Sequence, residues 1–232
     1  MQEPEKRLEQ GYSGWLIIIC AVFVTSLITA NIMAVKLIEV FGMVFPAAII
    51  IFPVSYIAGD VLTEVYGYAR ARRVIWLGFG CNLLAVVAIW CGQMLPAAAF
   101  WKGQEAYQLI LGYTPRLLAA SFAAYLVGEF ANAMVLARLK VATRGRWLWM
   151  RTIGSTIVGQ GLDSAVFITL AFVGTVPLPA LAAIVATQWL AKCLYEAAAT
   201  PLTYLVVNFI KRTEGIDCYD YDTRFNPLAL SE

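Results

Sequence analysis

The sequence predicts an all-α, polytopic membrane protein with six transmembrane helices and both termini in the cytoplasm. Three observations support this. The 232 residues are 61% hydrophobic and only 14% charged, whereas soluble domains are about 45–50% apolar and about 25% charged. The apolar residues form six long segments, and the basic residues are concentrated in alternate connections between them. This composition excludes a soluble enzyme, a disordered chain and an ordinary nucleic-acid-binding domain.

Each apolar segment reaches the roughly 20 residues that a helix needs to cross the hydrocarbon core of a bilayer. The predicted spans are Trp15–Ile38, Phe45–Tyr66, Val74–Leu95, Leu117–Leu139, Ile153–Val176 and Leu178–Phe209. The last is too long for one straight crossing, so we expect Pro201 to kink it, or its end to lie along the interface. The predicted organisation is therefore a cytoplasmic segment 1–14, a transmembrane domain 15–210 and a cytoplasmic tail 211–232.

The distribution of basic residues predicts the orientation. With the N-terminus inside, thirteen of the seventeen lysines and arginines fall in cytoplasmic segments, and the external loops hold only Lys102 and Arg116. Cytoplasmic loops carry such an excess of positive charge in membrane proteins generally. The external loop Pro96–Arg116 also contains Trp101, Tyr107 and Tyr113, which predicts an amphipathic stretch at the membrane interface.

Seven ionisable residues lie within or close to the spans: Lys36, Asp60, Glu64, Glu129, Asp163, Lys192 and Glu196. A charge at the bilayer centre costs about 2.5–3.5 kcal/mol on the mildest scale. These side chains must therefore face the protein interior or a hydrated cavity. Because five carboxylates face two lysines, three of them are protonated, hydrated or available to a cationic or donor-rich ligand.

The polar residues are spaced three or four apart, which places them on one face of each helix. The pairs are Asp60 with Glu64, Glu129 with Asn132, Gln160 with Asp163, and Lys192 with Glu196. Two purely structural interpretations stay open. Lys192 and Glu196 could form an ion pair within their helix, and Lys36 could extend its ammonium group to the interface. Spacing alone assigns no role to Asn31, which lies off the polar face of the first helix.

Polar faces converging from several membrane helices favour transport of a small solute as the first functional hypothesis. An intramembrane enzyme is a weaker hypothesis. The chain has no histidine, which excludes Ser-His catalysis and His-ligated zinc, and Ile57-Ala58-Gly59-Asp60 lacks the first glycine of a GxGD protease motif. A third hypothesis is a binding subunit of an ATP-driven importer. Because no GxxxxGK[ST] phosphate loop is present, ATP coupling would require a partner ATPase. We expect no cofactor and no metal.

Four segments carry a resemblance to a known family. They are ANIMAVK at Ala30–Lys36, FPVSYIAGDVLTEVYG at Phe52–Gly67, GQGLD at Gly159–Asp163 and KRTEGID at Lys211–Asp217. Together with Lys192, Glu196 and Pro201, these segments resemble the queuosine precursor transporter family over about residues 15–228. That family is itself similar to vitamin uptake transporters and to the substrate-binding subunits of ATP-driven vitamin importers.

The resemblance implies an inner-membrane importer of 7-cyano-7-deazaguanine and 7-aminomethyl-7-deazaguanine, which feed the salvage of queuosine, a modified base of certain tRNAs. The expected partners are the small-molecule deazaguanine and the lipid bilayer, and not nucleic acid. A homodimer is the oligomeric hypothesis, since the small residues Ala30 and Ala34, or Gly78 with Cys81 and Asn82, are suited to helix contacts. The alternative function is a substrate-binding membrane subunit of an ATP-driven vitamin importer.

The polar residues fit such a substrate independently. A guanine edge presents N–H donors at N1 and N2 and an acceptor at O6, so carboxylates can accept the donors and Lys, Asn or Gln can donate to O6. Aromatic rings can stack on the base. The candidates are Glu64, Asp163 or Glu196 for the donor edge, Lys192, Gln160 and Asn31 for O6, Phe167 or Tyr195 for stacking, and Asp60 and Glu129 for lining or proton coupling. These roles are interchangeable at this stage.

The orientation is testable with reporter fusions. Fusions at Gly145 and after Glu232 should report a cytoplasmic location, and a fusion at Gly103 an external one, because the basic residues favour the cytoplasmic side. Phosphatase and fluorescent-protein reporters at the three sites measure this directly. A cytoplasmic signal at Gly103 would rule out the six-span topology.

Overall fold

The computed structural model describes residues 13–40, 43–112 and 114–229. Most of the predicted N-terminal segment, Tyr113 and the last three residues of the tail lie outside these ranges. So does the side chain of Phe45, the first residue of the predicted second span.

Seven α-helices make up most of the described chain. They are α1 Gly14–Met33, α2 Phe52–Tyr66, α3 Tyr68–Met94, α4 Gln104–Leu111, α5 Pro115–Ala142, α6 Leu148–Phe172 and α7 Leu178–Glu214. The helix starts follow local sequence signals. Ser13 and Thr114 accept hydrogen bonds from the backbone N–H groups three residues on, and Pro115 occupies the first turn of α5. The prediction of a helical membrane protein is confirmed.

The first connection differs from the prediction, which continued the first span to Ile38. Helix α1 ends at Met33, and a hairpin follows, in which β1 (Leu37–Val40) pairs antiparallel with β2 (Met43–Pro46). The β-branched residues Val35, Ile38 and Val40 favour extended backbone over helix at this point. Lys36 therefore lies in a bend beyond the helix and is exposed, so its placement within a span was wrong.

Five helical segments of the described chain are long and apolar enough to cross a membrane: α1, α3, the segment 104–142 that contains α4 and α5, α6 and α7. Helix α2 has only 15 residues, because a 3-10 turn at Ala47–Ile50 replaces its predicted first part. Yet α2 is central, with ten buried residues. Helix α7 is 37 residues long and continues past Pro201 without a break. It ends at Glu214, five residues beyond the predicted end at Phe209.

The hydrophobic core forms where α1, α2 and α7 meet. Phe23 of α1, Val61 and Val65 of α2, and Val207 and Ile210 of α7 are almost completely buried there. Long aliphatic side chains elsewhere on these helices point outward. In a soluble protein such a surface would be a liability, whereas in a bilayer it is the expected face toward lipid.

Contacts identify one end of the bundle, which we call the Glu64 end. There the start of α1 meets the end of α7 through Ser13 and Glu214, and Tyr66 at the end of α2 donates a 2.7 Å hydrogen bond to Glu214. Lys140 near the end of α5 and Arg151 near the start of α6 reach the same place. The first and last long helices therefore have their chain-terminal ends on one side of the bundle.

The tail after α7 packs against the Glu64 end as a strap, residues 215–229. The N–H of Cys218 donates to the carbonyl of Val65 (3.0 Å), and both carboxylate oxygens of Asp220 accept from the N–H of Tyr68 (3.1 and 3.0 Å). Asp220 thus caps the first turn of α3, where a negative charge is favoured. Further along, Trp76 donates to the carbonyl of Pro227 (2.8 Å). The strap ties α2, α3 and α7 together.

The small residues considered for a dimer are used within the chain. Ala30 is buried, and a Cβ on Gly78 would stand 2.7 Å from the hydroxyl of Tyr125 and 3.1 Å from Leu27. Asn82 accepts a 3.0 Å hydrogen bond from Asn31. These positions let α1, α3 and α5 approach closely, which is the usual role of small residues between membrane helices. The homodimer stays a prediction.

Candidate functional site

Two glycines bring α5 and α6 into close contact at mid-length. A Cβ on Gly128 would lie 2.8 Å from the Cβ of Asp163 and 3.1 Å from the carbonyl oxygen of Gly159. A Cβ on Gly159 would lie 2.7 Å from the Cβ of Asn132. Any larger residue at either position would force the two backbones apart. The crossing therefore packs Asp163 against Gly128 and Asn132 against Gly159, within about one helical turn of each other along the bundle.

Around this crossing lies the central polar cluster, to which α2, α5, α6 and α7 contribute. Its members are Tyr56, Asp60, Glu129, Asn132, Gln160, Asp163, Lys192 and Glu196. Asn132 donates to Asp60 (Nδ2 to Oδ1, 3.1 Å), and the hydroxyl of Tyr56 donates to Oε1 of Gln160 (3.3 Å). Glu129 interacts electrostatically with the other acids of α6 and α7. Six of the ten predicted site residues thus share one region.

Lys192 forms an ion pair with Asp163 across the α6–α7 interface. Among the described residues its ion pair is with Asp163 and not with Glu196, one turn away on its own helix, so the intrahelical pair is not formed. Both members of the pair keep about a quarter of their side-chain surface exposed, 25% for Lys192 and 24% for Asp163. The pair therefore lies where a solute could reach it.

Several buried oxygens of the cluster have no hydrogen-bond partner among the described residues. They include Oδ2 of Asp60, Oδ1 of Asn132 and both carboxylate oxygens of Glu196. Glu196 has 0% and Asp60 1% of its surface exposed. A buried polar group without a partner costs about 1–3 kcal/mol, and more when it is charged. Such a concentration of unsatisfied acceptors indicates a site that is completed by protons, water or a donor-rich ligand.

Glu64 belongs to a different group, the Glu64 cluster, which consists of Glu64, Lys140, Arg151, Lys211 and Asp217. Arg151 donates to both carboxylate oxygens of Glu64 (Nη2 to Oε1, 2.8 Å; Nε to Oε2, 3.2 Å), and Lys211 donates at 2.7 Å. Lys140 donates to the backbone carbonyl of Glu64. Glu64 is therefore fully engaged by protein cations, although its role as a substrate ligand stays a prediction.

Asp217 links the Glu64 cluster to the strap, since it accepts from Lys140 (2.5 Å) and Lys211 (2.8 Å). Partial burial opposes its ionisation, but the hydrogen bonds from the two lysines outweigh burial and hold the pKa of Asp217 below its usual range. A carboxyl with a lowered folded-state pKa stabilises the fold at neutral pH. That contribution is lost as the pH falls through the folded-state pKa.

Three other predicted site residues lie apart from the hydrogen-bonded cluster. Asn31 donates to Asn82 of α3, an interhelical bond that accounts for its position off the polar face of α1. Phe167 is partly buried and packs edge-on against Phe172 at 6.4 Å. Tyr195 is partly buried on α7, next in sequence to Glu196. Their roles in substrate binding stay predictions.

The structure adds Asn132 and Tyr56 to the candidate site. Asn132 shares the polar face of Glu129, and a sequence signal was available, since Gly128 and Gly159 each precede a polar residue, Asn132 and Asp163, by four positions. A glycine followed at i+4 by a polar residue indicates a close crossing with a polar contact beside it. No spacing signal connects Tyr56 with Gln160, because the contact joins two helices far apart in sequence.

With this geometry established, comparison with known proteins identifies the family. A family model described as "Putative vitamin uptake transporter" matches residues 46–206. The chain belongs to the vitamin uptake transporter family. The matched range contains every member of the central polar cluster, so the cluster lies in the part of the chain that the family shares.

Curated relatives of this vitamin uptake transporter family member point the same way. A "Probable queuosine precursor transporter" of Bacillus subtilis (strain 168) is 30% identical over 190 residues, 81% of this chain and 82% of the relative. The "Queuosine precursor transporter" of Escherichia coli (strain K12) is 29% identical over 121 residues, 52% of each chain. A "Probable queuosine precursor transporter" of Haemophilus influenzae is 28% identical over 52% of this chain and 49% of its own. No solved structure matches. The family resemblance of the sequence motifs is confirmed.

Replacing a glutamate with glutamine should have different effects on protein stability in the two clusters. Glu64→Gln removes the anion from a buried ion-pair network and should destabilise the protein by about 3–5 kcal/mol. Glu196→Gln removes a buried carboxylate that lacks partners and should leave stability unchanged or raise it. Thermal unfolding of the purified variants in one detergent measures both. A lower melting temperature for Glu196→Gln than for Glu64→Gln would contradict this division.

Proposed function

We propose that this protein imports queuosine precursors, 7-cyano-7-deazaguanine and 7-aminomethyl-7-deazaguanine, across the bacterial inner membrane for queuosine salvage. The observation that carries the proposal is the central polar cluster, in which Asp60, Asn132 and Glu196 hold buried acceptor oxygens without partners. The family of the chain and the names of its relatives also support the proposal. Deazaguanines supply N–H donors of the kind that the cluster lacks, at N1 and N2 of the base and, in the aminomethyl compound, on its ammonium group.

The same cluster also offers hydrogen-bond donors for O6, the acceptor on the edge of the base. Lys192 can donate to O6, and so can the amide nitrogen of Gln160, whose Oε1 accepts from Tyr56. Because Lys192 keeps a quarter of its surface exposed, it can exchange part of its contact with Asp163 for a ligand. Carboxylates and donors within one cluster match the alternating donors and acceptors of a guanine edge.

In this proposal the protein crosses the membrane six times with both termini in the cytoplasm. Helix α2 supplies the sixth crossing together with the 3-10 turn Ala47–Ile50, which extends it by about 8 Å. The Glu64 end then faces the cytoplasm, in agreement with the lysines and arginines gathered there. A short, buried helix that carries polar residues is typical of the substrate pathway of transporters.

The transport hypothesis predicts uptake by this chain alone. The purified protein in liposomes should accumulate or equilibrate a labelled deazaguanine without an ATPase, because the chain has no phosphate loop and its surplus of carboxylates suits proton-linked or facilitated transport. Uptake into protein-free liposomes is the control. Uptake that appears only when a transporter ATPase is supplied would favour the binding-subunit alternative. Uptake in neither condition would contradict both.

Asp163 provides the sharpest single-residue test of the site. Asp163→Asn keeps the size of the side chain but replaces an acceptor oxygen with an amide N–H donor. That amide would face the N–H donors of the guanine edge, so neither group would have an acceptor. The loss of a charged hydrogen bond costs about 1.5–3 kcal/mol, or roughly 10- to 150-fold in affinity. Substrate binding by the purified variant measures this, with Glu105→Gln as a control because Glu105 is exposed on α4.

The Asp163 variant should still fold, since its partner Lys192 is partly exposed and can be hydrated. Elution of the variant as a single wild-type-like peak in gel filtration would establish this. Wild-type affinity in the Asn variant would remove Asp163 from the substrate site and leave it as the structural partner of Lys192.

A further inference from the structure

The unpartnered acceptors of the central polar cluster come from three different helices. Asp60 lies on α2, Asn132 on α5 and Glu196 on α7. Asn132 and Asp60 are joined by the 3.1 Å hydrogen bond described above, so Oδ1 of Asn132 and Oδ2 of Asp60 lie close together. Glu196 follows Lys192 by one turn of α7, and Lys192 pairs with Asp163, which packs against Gly128 one turn from Asn132. The three side chains therefore lie in one polar region to which three helices contribute.

The carboxyl groups at this place have no cationic partner within the described residues. Lys192 is the lysine of the central polar cluster, and it is already paired with Asp163. The cations of the Glu64 cluster are held by Glu64 and Asp217 at the end of the bundle. Asp60 and Glu196 therefore lack a hydrogen-bonded cation. Buried carboxylates in this situation favour a positively charged ligand over a neutral one.

The geometry also specifies the kind of cation. A primary ammonium has three N–H donors, no acceptor and a compact charge. It can direct one N–H toward each of three acceptors, which is the number of side chains available here. A nitrile has only an acceptor nitrogen. Placed in the same position, it would face the oxygens of Asp60, Asn132 and Glu196 with like polarity and would leave all of them unpaired.

We propose that Asp60, Asn132 and Glu196 form an ammonium subsite, and that the protein therefore binds 7-aminomethyl-7-deazaguanine in preference to 7-cyano-7-deazaguanine. This inference rests on the proposed function, since it concerns which deazaguanine the site selects. The aminomethyl group is protonated at neutral pH, as a lysine amine is. Gln160, Asp163 and Lys192, which supply both donors and acceptors, are left to contact the base.

The first test uses the wild-type protein and needs no variant. Equilibrium binding of both deazaguanines to the purified protein at pH 7 should give an affinity at least about tenfold higher for the aminomethyl compound, because it gains charged hydrogen bonds that the cyano compound cannot form. Equal affinities, or tighter binding of the cyano compound, would overturn the ammonium subsite and leave the proposed function standing. Binding of neither compound would overturn both.

The second test locates the preference. Glu196→Gln and Asp60→Asn each remove one negative charge from the subsite without changing the size of the side chain. Each should reduce the aminomethyl-to-cyano affinity ratio several-fold, with most of the change in the aminomethyl affinity. Loss of structure alone would weaken both ligands together, so the ratio separates the two effects. Glu105→Gln, an equivalent change at an exposed position, should leave the ratio unchanged. A wild-type ratio in both subsite variants would overturn the assignment.

Discussion

The arrangement of this bundle depends on one buried carboxylate, that of Glu64. Its side chain is completely buried, and cations from three other helices converge on it: Lys140 of α5, Arg151 of α6 and Lys211 of α7. Removing an ion from water costs several kcal/mol, and the cost is recovered only when the geometry is good and the remaining hydrogen bonds are satisfied. Arg151 meets that requirement with two hydrogen bonds, one to each oxygen. The helix ends are fixed relative to one another because each supplies one member of the network, and Asp217 extends it into the strap.

The two charged clusters differ in how far their buried acceptors are satisfied. At the Glu64 end, the hydrogen bonds and ion pairs of the buried carboxylate among the described residues are with cations, and the strap caps the neighbouring helix through Asp220. In the middle of the bundle, Asp60 and Glu196 keep oxygens without partners. A fold tolerates such groups only where the rest of the structure supplies a surplus of stability. The satisfied cluster and the core of α1, α2 and α7 are the source of that surplus.

Much of this could be predicted from the sequence, for identifiable physical reasons. The membrane class follows from composition, and the inward polar faces follow from the cost of charge in lipid. Helical spacing groups residues on one helix but does not reveal their partners on another. Asp60 and Glu64 share a face of α2, yet Asn132 binds one and Arg151 the other. Those partners depend on where the helices cross, and the crossing is set by Gly128 and Gly159.

The other differences have equally local causes. Hydropathy does not distinguish an apolar strand from an apolar helix, so the two ends of the hairpin, residues 37–38 and 45–46, were predicted as parts of two spans. Helical spacing could not assign a role to Asn31, because its hydrogen-bond partner, Asn82, lies on another helix 51 residues later in the sequence.

The two clusters are joined by the helices that carry them, and this constrains how either can move. Asp60 and Glu64 are one turn apart on α2, and Glu196 and Lys211 both lie on the continuous helix α7. A displacement of α2 relative to α7 that changes the distance between Asp60 and Glu196 must also act on the contact between Glu64 and Lys211. A packed helix transmits such a shift because its interior has little free volume. Side-chain contacts at the centre of the bundle are therefore coupled mechanically to the ion pairs at its Glu64 end, because both lie on the same two helices.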